Sequence, residues 1–127
     1  MEITKKNALK SKDPASRDEV ARFLEVFVQQ KKEFGIRFYQ RKKNVQALLD
    51  LELSARQREK ILEGLQIEDY YKGPREDGVN KGAEFWEFGV YLKKKDVYIK
   101  ISIGLGEEAV RCFSFHAAER PIKYPYK

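Results

Sequence analysis

The spacing of apolar residues changes once along this 127-residue chain, and that change constrains the fold more than any single motif. Up to Leu65, apolar side chains recur every three or four positions, as on one face of a helix. From Glu84 they alternate, as in strands with one buried face. Helices first and an antiparallel meander afterwards predict an α+β fold, with helices packed before a small sheet of three or four antiparallel strands. The length suits one domain spanning 1–127.

Asp13-Pro14 and the capping pattern Ser16-x-x-Glu19 open a helix over about 16–34. It carries Val20, Phe23, Leu24, Phe27 and Phe34, and Gly35 ends it. Ile36 and Phe38 alternate with Arg37 and Tyr39, a short strand. Asn44 is placed to cap a short helix with Val45, Leu48 and Leu49. Ser54-x-x-Gln57 opens another, which presents Ile61, Leu62 and Leu65 to the core. Residues 72–82, KGPREDGVNKG, hold three glycines and a proline and read as a flexible loop. The strands follow at 84–92, 96–103 and 109–115. Residues 1–12 read as a polar lead-in, and 117–127, with two prolines, as a surface strap.

The strand VYIKISI sets Val97, Ile99, Ile101 and Ile103 on one face and Tyr98, Lys100 and Ser102 on the other. With the isoleucines on the core, a phenol, an ammonium and a hydroxyl face outward, either as a solvated surface or as a site. His116 is the only histidine, and imidazole is the side chain that exchanges protons most readily near neutral pH. A lone histidine at a strand end is otherwise structural or merely exposed. Glu87 alternates with Trp86 and Phe88 and so faces away from them. Trp86 suits the core, with base stacking the alternative.

Twenty-six basic against twenty acidic residues give a net charge of +6, which favours an anionic partner such as nucleic acid, an acidic protein or a membrane surface. No apolar run approaches the ~20 residues that span a bilayer, and no apolar segment follows the N-terminal lysines as in a signal peptide. Cys112 stands alone, so an internal disulfide or a cysteine zinc cluster is not possible, and the cytoplasm is the expected compartment. There is no P-loop, dinucleotide fingerprint or carboxylate cluster for magnesium, and we expect no cofactor or metal.

Four patches, in order, resemble the MqsR family, toxins of bacterial toxin–antitoxin pairs with a RelE-like ribonuclease fold. GLQIEDYYKG resembles the family's helix-end pattern, EFWEFGVYL its tryptophan strand, DVYIKISI its Val-Tyr-hydrophobic-Lys strand, and VRCFSFH its closing strand. The resemblance covers residues 35–116. It implies a metal-independent endoribonuclease that cleaves mRNA and so inhibits translation, restrained by a cognate antitoxin. The family's loop-edge lysine falls on Lys72 and its strand tyrosine on Tyr98. The family has glutamine where this chain has Glu87, and lysine where it has His116. Lys72 and Lys100 would neutralise the phosphorane, and Tyr98 would donate to a phosphate oxygen. His116 is the general acid or base, with Glu87 as its complement. The expected RNA-binding set is Tyr71, Lys72, Arg75, Lys100, Arg120 and Lys123. The rival readings are a non-catalytic nucleic-acid-binding module and a protein-interaction domain.

Overall fold

Both predicted capping boxes form. Ser16 opens α1 (Arg17–Phe34), its hydroxyl accepting from Glu19 N at 3.1 Å while the Glu19 carboxylate accepts from Ser16 N at 2.9 Å. Gly35, at φ 82°, turns the chain into β1 (Ile36–Phe38). Next come α2 (Lys42–Asp50) and α3 (Ala55–Glu63), the latter capped reciprocally by Ser54 and Gln57. A 3-10 turn, Ile67–Asp69, leads to β2 (Tyr70–Glu76), β3 (Glu84–Leu92), β4 (Lys95–Ser102) and β5 (Val110–Ala117). The computed structural model describes residues 14–76 and 84–127; the lead-in at 1–12 and the stretch 77–82 of the expected loop lie outside them.

The fold is α+β, and three local expectations are corrected. The sheet has five strands in the order β1-β5-β4-β3-β2, and it is mixed, because β1 runs parallel to β5. A parallel neighbour so distant in sequence leaves no local turn signal to read. Second, Lys72 to Glu76 belong to β2 rather than to a loop, paired antiparallel with β3 through Lys72↔Glu87 and Arg75↔Phe85. Two register irregularities flank Lys72, and β2 is an edge strand, which is where a proline is tolerated. Gly73, at φ 113°, is needed there: a Cβ would come within 3.0 Å of Phe85 O and Trp86 Cα.

Third, Asn44 does not cap α2. Arg41 occupies that position, and Asn44 lies buried inside the helix with its amide turned onto β5. Asn44 Nδ2 donates to Phe113 O at 2.8 Å and to Tyr39 O at 3.0 Å, and Oδ1 accepts from Phe115 N at 3.1 Å. β1 pairs with β5 only as far as Cys112, so the side chain continues the ladder where the strand stops.

The isoleucine face is the buried one. Val97, Ile99 and Ile101 are fully enclosed with Val20, Phe27, Leu62 and Phe88, and each such aliphatic side chain contributes about 1.5–3 kcal/mol by burial. Ile103 lies past the end of β4 and packs against this core only partly buried. Trp86 is a core residue, stacked on Phe23 with ring centroids 4.4 Å apart. Lys31 ties α1 to α3 through Glu59 and Glu63, each at 2.6 Å. Cys112 is buried, and desolvation pushes its thiol up to about 12, so it is an inert core side chain.

A shift of register sets the face of His116. Lys100 pairs with Ser114 but Ile101 with Cys112, so Phe113 is an extra residue in β5. Cys112 and Phe115 thereby both reach the core, and His116 turns to the side of Tyr98. Because Asn44 holds both groups flanking this bulge, Asn44→Ala should strand Phe113 O and Phe115 N. We expect a loss of about 2–4 kcal/mol, two buried unsatisfied groups, read as a lowered urea midpoint with an unchanged m-value. An unaltered midpoint would show that water replaces the amide at no cost.

Candidate functional site

The sheet face turned away from the core gathers the residues singled out from sequence. Lys72, Glu87, Lys100 and Ser114 form a row across β2, β3, β4 and β5, each paired with the next in register. One step along, Tyr98 pairs with His116, their rings 5.5 Å apart and tilted by 40°. Strand alternation groups Glu87, Tyr98 and Lys100 on this face, and the bulge at Phe113 adds His116 to it.

Glu87 is the centre of the cluster. It is only 8% exposed, and its Oε1 accepts a 2.6 Å hydrogen bond from Tyr98 OH. Arg75 Nη1 lies 3.9 Å from Oε2. A carboxylate this buried requires such partners, because an uncompensated charge out of water is costly. Burial above all, then the hydrogen bond to Glu87 and its charge, raise the Tyr98 phenol well above its ordinary 10.0. Tyr98 therefore stays protonated near neutrality and acts as a donor. Tyr71 is also near enough to raise it further.

The lysines lie over aromatic rings. Lys100 Nζ stands 4.0 Å from the Phe85 ring centroid and 5.6 Å from that of Phe113, and Lys72 Nζ stands 4.9 Å from that of Tyr71. Such contacts hold an ammonium without neutralising it. Phe85 and Phe113 were not anticipated. Phe85 was legible by alternation from Glu87, whereas the bulge hides Phe113. His116 is partly exposed, and its Nδ1 lies 2.9 Å from Ala117 O. A neutral ring that donates there turns Nε2 into the acceptor.

The structure thus brings together Lys72, Arg75, Glu87, Tyr98, Lys100 and His116, with Tyr71 beside Lys72. It does not bring in Arg120 or Lys123, which are exposed on the strap after β5 and make no ion pair among the described residues. Among the described residues no three His, Cys, Asp or Glu side chains converge as a metal-ligand set, and no helix is long and apolar enough to cross a membrane. Set against known proteins, the chain matches no family model, no curated protein and no solved structure.

The Tyr98–Glu87 bond should mark the pH dependence of stability. Below pH 10 the phenol is protonated in both the folded and the unfolded chain, and its stabilisation is fully present. As pH rises past 10.0 the unfolded chain ionises first, and the contribution is lost. Tyr98→Phe should therefore cost about 1–3 kcal/mol at neutral pH, the worth of a bond to a charged acceptor, and the gap should shrink above about pH 10. Urea unfolding of both proteins across that range checks it; a gap independent of pH would remove Tyr98 from the bond.

Proposed function

We propose that this chain is a metal-independent endoribonuclease that cleaves mRNA, the toxin of a type II toxin–antitoxin pair of the MqsR kind, acting in the cytoplasm. The observation that carries the reading is the juxtaposition on one open sheet face of two ammonium groups, a buried carboxylate, a protonated phenol and the only histidine of the chain. The four MqsR-like patches carry all five groups in the expected order, and the net charge of +6 suits a polyanionic substrate.

Cleavage of this kind moves two protons. The neutral imidazole of His116 takes the proton of a ribose 2′-hydroxyl, and the 2′-oxygen bonds to the adjacent phosphorus. The bond from phosphorus to the 5′-oxygen breaks, and the Lys100 ammonium gives that oxygen its proton. The products are a 2′,3′-cyclic phosphate and a 5′-hydroxyl, and solvent exchange then returns His116 and Lys100 to their starting forms. Lys72 and Lys100 offset the charge gathering on the phosphorane. Glu87, too enclosed to meet a 2′-hydroxyl, anchors Tyr98 and the cations around it. Lys72 and Lys100 lie on either side of Glu87 in the row, so both ammonium groups border the same stretch of the face.

The test is single-turnover cleavage of a long RNA with EDTA present. His116→Ala should lose about 10²–10⁴-fold in rate while affinity barely moves, the usual worth of a proton-transfer group. Glu87→Gln, which keeps an acceptor for Tyr98, should lose roughly tenfold or less, since no proton passes through it. Lys72→Ala and Lys100→Ala should each reduce the salt slope of RNA binding by about one charge. Growth arrest on induction in a bacterial host should disappear with the activity and in the presence of the cognate antitoxin. RNA binding by the wild type without cleavage, on free RNA or ribosomes, would replace this reading with that of a binding module.

A further inference from the structure

His116 also borders a second feature. Between α2 and the end of β5 runs a groove of about 530 Å³, within the size range of small-ligand sites. Its floor is apolar, formed by the buried Ala47 and Leu51. Its rim carries Lys42 and Lys43 from the first turn of α2, and Lys95 from the start of β4. Lys43 is bonded to Glu119, whereas Lys42 and Lys95 have no ion-pair partner among the described residues. On the exposed side of α2, Gln46 Nε2 donates to Asp50 Oδ1 at 2.9 Å, so an amide and a carboxylate stand side by side at the wall of the groove. His116 lines the groove while its ring contacts Tyr98 on the sheet face, so the two surfaces are continuous at this residue.

We propose that the groove is a nucleotide-binding subsite, which seats one nucleotide of a single-stranded RNA next to the phosphate handled by His116. This rests on the ribonuclease reading above. Single-stranded RNA is recognised by packing unstacked bases on flat or apolar side chains and by hydrogen bonding to their edges. Ala47 and Leu51 supply the apolar floor, and Lys42 and Lys95 supply the phosphate charge. Asp50 accepts from an exocyclic amino group, and the second Gln46 amide hydrogen donates to the neighbouring ring nitrogen. That pattern suits cytosine or adenine. Charge selects this occupant over an apolar peptide, because the two unpaired cations flank the apolar floor rather than lie apart from it. Gln46 and Asp50 are thus specificity-determining residues, with no part in proton transfer.

The test uses 3′-CMP and 3′-UMP titrated into the wild-type protein and followed by backbone NMR. CMP should shift the resonances of Ala47, Leu51 and His116 and bind roughly fivefold or more tightly than UMP, the worth of one good base-edge contact. Asp50→Asn should bring the two affinities to within roughly twofold, and in RNA cleavage it should change which sites are cut. Asp50 is exposed on α2, so the variant should keep the wild-type melting temperature. Shifts confined to the Lys72–Lys100 row, with an unchanged cleavage pattern for Asp50→Asn, would overturn the subsite and leave the ribonuclease reading standing. Nucleotides seated in the groove of a protein that cuts no RNA would overturn the ribonuclease reading and leave the groove a nucleotide site.

Discussion

Phe113, the extra residue in β5, is the constraint on which the functional face depends. Strict alternation along VRCFSFH would group His116 with Val110 and Cys112, the two residues that point into the core. One inserted residue reverses the parity beyond it, and the imidazole emerges opposite Tyr98. The buried Asn44 amide, continuing the ladder where β1 stops, holds the residues flanking the bulge by accepting from Phe115 N and donating to Phe113 O. A helix residue therefore braces the bulge that sets which side of the sheet carries the histidine. The same clamp brings α2 against the end of β5, which is how the groove comes to lie beside that histidine.

Electrostatics on this face are arranged around one buried anion. At an effective dielectric near 20 a charge pair about 4 Å apart gains roughly 4 kcal/mol, comparable with the penalty for enclosing a carboxylate. Arg75 at 3.9 Å and the 2.6 Å bond from Tyr98 together keep Glu87 in place. Among the described residues Lys72 and Lys100 are held by rings and form no ion pair with a carboxylate. A face built to neutralise itself would have paired those lysines with acids, which the chain has in number.

Much of this was legible in the sequence, for identifiable reasons. The capping boxes at Ser16 and Ser54 are local, and they form as read. The parity of VYIKISI is also local, and it placed Tyr98 and Lys100 outward correctly. What escaped depends on contacts distant in sequence. Pairing with β3 holds Lys72 to Glu76 in a strand, although Gly73-Pro74 reads as a turn. Asn44 resembles a cap until β5, some seventy residues on, offers its amide better partners. The groove combines α2 with the ends of β4 and β5, and no sequence window holds Gln46, Asp50 and Lys95 together.

The C-terminal strap sets the remaining boundary of the face. Ala118 N donates to Asp96 O at 2.8 Å, and the chain then lays Ile122 and Tyr124 over Gly89, the β3 partner of Tyr98. A Cβ at that glycine would come within 2.5 Å of Tyr124 OH and 2.6 Å of Ile122 Cδ1, so the close approach of the strap requires the missing side chain. Farther on, Tyr126 stacks on Tyr70 and bonds to Ala15 O, which fastens the strap to the start of α1. One side of the Tyr98–His116 row is therefore covered by the strap, while the Lys72–Glu87–Lys100 row and the groove lie beyond Gly89. On the ribonuclease reading proposed above, RNA would run along the lysine row, past His116, and over the end of β5 into the groove. The exposed Arg120 and Lys123 of the strap lie apart from the lysine row.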